Sequence, residues 1–408
     1  MGIPCDDVVI IRQSEREGEP SMITINCPDK TGLGCDLCRI ILFFGLSIAR
    51  GDVSTDGKWC YILFWVTGNP KTRWSLLKMR LVEACPSCSS ASRILFDNYG
   101  PQPSKDPDVF LLKLACCDRR GLLYDVTRVL CEFELIIKRV KVSTTPDEKV
   151  MDLFFITDTR ELLHTKKGQD DVSNYLKAVI GEAMISCDIE MVGPEITECS
   201  QDSFLPPAIT EDKEIPNYQL DGSLTSKSIS VKIDNMLSPA HTLVQISCQD
   251  HKGLLYDIMR TLKDYNIQIS YGRFFTKQRR KCEIDLFIMQ VDGKKIVAPS
   301  KQQALSSRLE MELLQPLRVA VVSRGPETEL LVANPVQLCG KGRPLVFHDI
   351  TLALKTLNIG IFSVDIGRHV IGGREWEVYR VLLNEGEGSS IAWKKIEDEV
   401  WKMLMGWD

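Results

Sequence analysis

The segment CPDKTGLGCDL at residues 27–37 returns as CCDRRGLLYDV at 116–126 and again as CQDHKGLLYDI at 248–258. The copies align without gaps, so Asp29, Asp118 and Asp250 each stand three residues before Gly32, Gly121 and Gly253. A pattern recurring in fixed register along one chain marks an array of similar modules, and it constrains the fold more than any single element. At 408 residues the chain is too long for one ordinary core, and two to four domains are expected.

Around the first copy, MITINC (22–27) alternates apolar and polar residues and predicts a strand. Leu33, Leu37, Ile40, Ile41 and Phe44 follow helical spacing, and Gly45 ends that helix. Segments 46–55 and 59–66 flank Asp56-Gly57, a hairpin signal; a second helix is expected near 73–84 and a last strand at RILF, 93–96. The order is βαββαβ. The second copy repeats it from VFLLKLACC to ISCDIEMV, and the third from TLVQISC to LRVAVV at 317–322. A fourth, divergent copy begins near Glu329 and stops after a helix, without an evident last strand.

A larger symmetry sits above this one. Asp29 to Asp250 spans 221 positions, and so does Ile10 in VVII (8–11) to Val231 in SVKI (230–233). The chain thus reads as two duplicated halves: a leading strand plus module one (1–98), module two (105–192), a linker (193–228), a leading strand plus module three (229–324), and module four (328–408). The fold class is α+β, with four tandem ferredoxin-like modules. The linker is rich in Pro, Ser and acidic residues, with Pro194, Pro206, Pro207 and Pro216, and is expected to be extended and mobile. The fourth module leaves an edge position empty, and a leading strand is expected to pair there and cover it.

A strand that runs into a helix through a glycine turn exposes unpaired amide N–H groups, and the helix dipole favours negative charge there. Gly32, Gly121 and Gly253 permit positive φ or close approach of a ligand. The aspartates can accept bonds from backbone amides or from a ligand ammonium. An α-amino acid, with carboxylate and ammonium a few ångströms apart, suits both features. Asp-x-x-Gly before a helix is also ordinary turn chemistry that needs no ligand.

The βαββαβ order with an acidic, glycine-containing turn resembles the ACT domain, a family that senses small molecules, usually amino acids, and regulates metabolic enzymes. DRRGLLYDV and DHKGLLYDI are similar to turns in the paired ACT domains of bacterial uridylyltransferase nitrogen sensors. Four modules without a catalytic domain resemble the plant ACT-domain-repeat (ACR) proteins. The resemblance implies ligand contacts at Asp29, Gly32 and Leu33; at Asp118, Gly121 and Leu122; and at Asp250, Gly253 and Leu254. It further implies that modules join side by side into eight-stranded sheets, which tandem pairs within each half can do. In the fourth module Asn334, Pro335 and Gly342-Arg343-Pro344-Leu345 replace the Asp-x-x-Gly pair, and ligand binding by the usual turn is not expected there.

Composition narrows the function. A net charge of −5 argues against a nucleic-acid partner, and the basic run at 277–281 reads as a solvated hairpin loop. The longest apolar run, IILFFGLSIA, is too short to span a membrane. Fifteen cysteines without a secretion signal read as reduced thiols of an intracellular protein, cytoplasmic by expectation, with a nuclear or organellar location open. Cys27, Cys116 and Cys248 fall in phase with their strands and read as small buried residues. Cys35, Cys38, Cys85 and Cys88 carry zinc-like or redox-like spacing, but the gap between the pairs exceeds that of compact zinc ribbons. No catalytic residue, metal or cofactor is assigned: the five histidines are scattered, and GGRE at 372–375 is a hairpin turn. The expected protein is a non-catalytic amino-acid sensor, its modules paired within the chain and a homodimer open. The alternative is an interaction or dimerisation adaptor without ligand.

Overall fold

In the computed structural model the described residues are 8–16, 18–68, 72–86, 108–117, 119–144, 149–158, 160–193, 205–211, 229–277, 280–325, 327–338, 340–384 and 392–406. In chain order they form β1 (Val9–Arg12), β2 (Ser21–Pro28), α1 (Leu33–Phe43), β3 (Ser47–Thr55), β4 (Trp59–Thr67) and α2 (Trp74–Ala84). Then follow β5 (Val109–Cys117), α3 (Leu122–Glu132), β6 (Ile136–Thr144), β7 (Lys149–Thr157), α4 (Lys166–Ile180), β8 (Met184–Met191) and α5 (Pro207–Thr210). The third repeat supplies β9 (Ser230–Asp234), β10 (Thr242–Gln249), α6 (Leu254–Asp264), β11 (Ile267–Thr276), β12 (Lys281–Gln290) and α7 (Pro299–Leu314). The last elements are β13 (Arg318–Arg324), β14 (Glu327–Pro335), α8 (Val346–Thr356), β15 (Gly360–Ile371), β16 (Arg374–Asn384) and α9 (Trp393–Met405).

These elements form two compact units, one drawn from residues within 1–100 and 217–316, the other from 101–216 and 317–406. The first unit therefore joins modules one and three, and the second joins modules two and four. Pairing of tandem neighbours, expected from the sequence, is not what the chain does.

In the first unit the sheet has eight strands in the order β1-β2-β4-β3-β11-β12-β10-β9. Its two halves meet where β3 pairs antiparallel with β11, Arg50 opposite Phe275 and Ser54 opposite Tyr271. Period-two burial along β2 and β4 turns Ile23, Ile25, Ile62 and Phe64 to one face. Leu33, Leu37 and Ile41 of α1 meet them there, and the same core runs on into Leu254, Ile258 and Leu262 of α6.

The second unit holds two four-stranded sheets, β6-β7-β5-β8 and β13-β14-β16-β15. The strands β6 and β15 lie side by side, bridged by Arg139 and Asp365 at 3.6 Å. Over that junction α3 packs on α8 and closes one shared core. Thr127 and Thr351, both buried, share a hydrogen bond of 3.0 Å between the two helices.

The edge strands depart from the sequence reading. Each leading strand stays in its own module, β1 beside β2 and β9 beside β10. The strand read as closing the third module, β13, pairs instead with β14 and fills the vacant edge of the fourth. The reason is loop length: Gly325, at φ 68° in the two-residue link between β13 and β14, lets a local hairpin form. Closing a short loop costs less entropy than recruiting a distant strand. The second module closes with its own last strand, β8 beside β5. The last strand expected for module one, at 93–96, lies outside the described residues.

The linker is not extended throughout. Within it, α5 packs on the outer face of the fourth module's sheet, where Ile209 is fully buried among Leu331, Trp376 and Val378. Arg318 donates from Nη1 to the carbonyl of Ile209 at 2.7 Å and stacks on Trp376. Pro206 and Pro207 thus start a helical turn, as proline at a first helical position is suited to do. Pro194 and Pro216 lie outside the described residues. No helix among the described residues is long and apolar enough to cross a membrane.

Candidate functional site

All three repeated glycines sit where a strand has ended and a helix begins. Gly32, Gly121 and Gly253 have φ of 81°, 76° and 83° and immediately precede Leu33, Leu122 and Leu254. No side chain caps these helices from the glycine position, and the first amide of each, at Leu33, Leu122 and Leu254, donates to the carbonyl of Lys30, Arg119 and His251, which leaves the positive end of the helix dipole at the turn.

In the first unit Asp29 braces its own turn, accepting hydrogen bonds from the Lys30 amide at 2.8 Å and the Thr55 hydroxyl at 2.7 Å. One turn into α1, Asp36 lies between two cations, Lys30 at 3.4 Å and Lys263 at 2.9 Å. Lys263 comes from the last turn of α6 in the other module, and its stem lies across Gly32; a Cβ added there would stand 2.6 Å from Cε. Asp29, Lys30, Gly32, Thr55 and Lys263 line a cavity of about 70 Å³, with Leu33, Cys35, Phe64, Met259 and Ile269 as its apolar wall.

The second unit repeats this arrangement independently. Asp125 in the first turn of α3 pairs with Arg119 at 2.6 Å and with Lys355 at 3.0 Å. Lys355 comes from the end of α8, crosses Gly121 and rests its ammonium over the ring of Tyr124. The cavity, about 160 Å³, is lined by Gly121, Leu122, Val142, Asp152 and Ile361, with Arg119 and Arg120 at its edge. Asp118 lies outside the described residues.

Three family models cover most of the chain. "ACT domain-containing protein ACR10, N-terminal" matches residues 11–86, "ACR9-like, ACT-like domain" matches 102–194 and 230–327, and "ACT domain-containing protein ACR9, C-terminal" matches 328–406. The chain belongs to the ACR family of ACT-domain proteins. It is 64% identical over its full length, and over the full length of its relative, to ACT domain-containing protein ACR10 of Arabidopsis thaliana. It is 51% identical to ACR9 of the same plant, again over both whole chains. A bifunctional uridylyltransferase/uridylyl-removing enzyme of Rhodospirillum rubrum is 22% identical over 62% of this chain and 24% of that one. Membership of this family makes the chain an ACT-domain regulatory protein. The matched segments end the third ACR repeat at 327, beyond β13, so repeat and sheet are out of step by one strand.

The other two turns of this ACR protein are built differently. Asp250, His251 and Gly253 face Leu42 and Leu46 of the first module around a cavity of about 20 Å³, room for little more than a water. At the place that Lys263 occupies on α6, α1 carries Leu42. In the fourth module Leu345 takes the glycine's position with φ 64°. Asn334 exchanges hydrogen bonds with the backbone of Arg343, whose guanidinium donates to the Leu404 carbonyl at 2.8 Å. The turn is thus built by the residues that replaced Asp-x-x-Gly.

Sequence reasoning missed Asp36, Asp125, Lys263 and Lys355. The signal lay within the repeat, because an aspartate follows each glycine by four residues, at 36, 125 and 257. The lysines were invisible without knowing which helix faces which. Of the four spaced cysteines, Cys88 lies outside the described residues and Cys35 and Cys38 sit on α1. Cys85 hydrogen-bonds Cys27 instead, and no group of three or more His, Cys, Asp or Glu among the described residues is arranged to hold a metal.

Burial works against the charge on Asp125, but hydrogen bonds from Arg119 and Lys355 outweigh it and hold the carboxyl below its ordinary value. A carboxyl lowered by folding contributes stability that is whole above its unfolded pKa and drains away as pH falls through its folded one. Asp125→Asn is therefore expected to be less stable than wild type at neutral pH, with a gap that shrinks below about pH 4. Amide hydrogen exchange along α3 across that range checks it.

Proposed function

We propose that the chain is a non-catalytic sensor that binds an amino acid at two sites, one at Gly32 in the first unit and one at Gly121 in the second. The observation that carries this reading is the lysine that reaches each turn from the other module of the unit, Lys263 over Gly32 and Lys355 over Gly121, beside the start of a helix. Helix amides and that cation suit a ligand carboxylate. Asp29 at the first turn suits its ammonium, Asp118 holds the same position in the repeated sequence, and the small cavities suit a single amino acid better than a nucleotide. Modules one and two supply the turn, and modules three and four supply the lysine. Binding thus takes both modules of a unit, and it biases their packing to the extent that two states bind unequally. The free cysteines among the described residues suit a reducing compartment.

Calorimetric titration of the twenty amino acids should find one or more that bind at two sites per chain. Lys263→Met and Lys355→Met should each weaken one site by roughly 10–100-fold, the worth of a charged hydrogen bond of about 1.5–3 kcal/mol. No binding by any amino acid would favour the second reading, an adaptor whose sites have closed. The shallow space at Gly253 and the filled turn at Leu345 would support it.

A further inference from the structure

Beneath the first turn, Cys27 on β2 stands directly opposite Cys60 on β4. Antiparallel partners have Cα atoms roughly 4.5–5.5 Å apart, inside the roughly 4.4–6.8 Å that a disulfide spans. Cys85, capping the end of α2, reaches Cys27 as well, so that two thiols hydrogen-bond one sulfur. All three are buried, and Cys60, directly opposite Cys27, forms part of the wall of the Gly32 cavity, which brings a small oxidant up to the pair. Hydrogen bonds from Cys60 and then Cys85 lower the Cys27 thiol against the opposing effect of burial, while the same contacts and burial raise Cys60 and Cys85, so a proton lost from the cluster is lost from Cys27. The third module holds the natural control. Cys248 stands opposite Cys282 at the same place, but burial pushes both thiols up to about 12.

We propose that Cys27 is a peroxide-reactive cysteine and Cys60 its resolving partner, an oxidisable site lying under the Gly32 turn. The Cys27 thiolate attacks one peroxide oxygen, the O–O bond breaks, and hydroxide leaves and takes up a proton as water. The resulting sulfenic acid is attacked by the Cys60 sulfur, forming the S–S bond and expelling a second water. Two thiols and one peroxide give one disulfide and two waters, with the sulfurs oxidised and the peroxide oxygens reduced. Cys85 donates to the Cys27 sulfur and stabilises its charged form. Thr55, next to Cys60 in the same cross-strand row, holds Asp29. Closing the disulfide therefore pulls on the strand pair that positions the turn. The site stands apart from the amino-acid reading and needs no ligand.

The test treats the reduced full chain with hydrogen peroxide, alkylates the remaining thiols and maps the cysteines by peptide mass. A Cys27–Cys60 peptide pair two hydrogens lighter should form first, while Cys248 and Cys282 stay alkylatable once the protein is denatured. Cys27→Ser and Cys27→Ala should abolish the link, and Cys85→Ser should slow it with the fold intact by circular dichroism. The proposal falls if Cys27 and Cys60 stay reduced while exposed Cys117 oxidises. It falls equally if Cys248–Cys282 links as fast, or if Cys27 joins Cys85 instead.

Discussion

Valine at Gly32 and Gly121 together is expected to abolish the rise in melting temperature that an amino acid produces, and each single change should remove one of the two sites. A β-branched residue at φ near 80° is strained by about 1–3 kcal/mol, and its Cβ would meet the lysine that crosses the turn at 2.6 Å in one unit and 2.9 Å in the other. A ligand at a hundredfold excess over its Kd stabilises the folded state by about 2.7 kcal/mol, so the loss is easily seen in a thermal scan. Gly45→Val separates strain from binding. Gly45 has φ 69° and open space around it, so that variant should melt earlier but still respond to ligand. A response retained in the double variant would remove the turns from the binding account.

Arg260→Leu should cost the first unit about 3–5 kcal/mol, the effect of stripping one partner from a buried ion cluster. Arg260 is fully buried and meets Glu312 at 2.5 Å and Asp257 at 3.5 Å, while Arg308 reaches Glu312 at 2.8 Å. Burial opposes its charge, but Glu312 and Asp257 together keep the guanidinium protonated. Without it two carboxylates face each other in the core between α6 and α7. Arg260→Leu with Glu312→Leu should recover part of the loss, since a matched apolar pair leaves fewer charges stranded. Amide hydrogen exchange along α6 measures both, and it reads one unit of a two-unit protein where a single unfolding free energy is poorly defined. Equal exchange in wild type and Arg260→Leu would show the cluster to be dispensable.

Much of the fold is legible because the repeat carries its own punctuation. The strand into Cys27, the turn at Gly32 and the helix from Leu33 lie where period and glycine place them, and so do their counterparts at 116–122 and 248–254. Partner choice was not legible. The joining strands SIARGDVST, IIKRVKVST, IQISYGRFFT and GIFSVDIGRHVI are all amphipathic and all carry basic residues, so the pattern of each does not single out its neighbour. What distinguishes them is pairwise: Asp52 answers Arg273 and Asp365 answers Arg139, complements that show only when the strands are side by side. The same holds at the turns. Three look alike in sequence, but Lys263 and Lys355 stand over two of them, and Leu42 over the third. The buried turn of helix at Pro207 was hidden because proline and serine around it read as spacer, while Ile209, flanked by the half-buried Leu205 and Ala208, carries the packing.

The alternation of units along the chain has a consequence for biogenesis. The first module leaves the ribosome with β3 exposed, and its partner strand β11 is more than 200 residues away. At about 5–20 residues per second, that edge waits roughly ten to forty seconds while the whole second module is made. Arg50 and Asp52, charged residues on that strand, fit the role of gatekeepers that keep a nascent sheet from capturing a stranger in the interval.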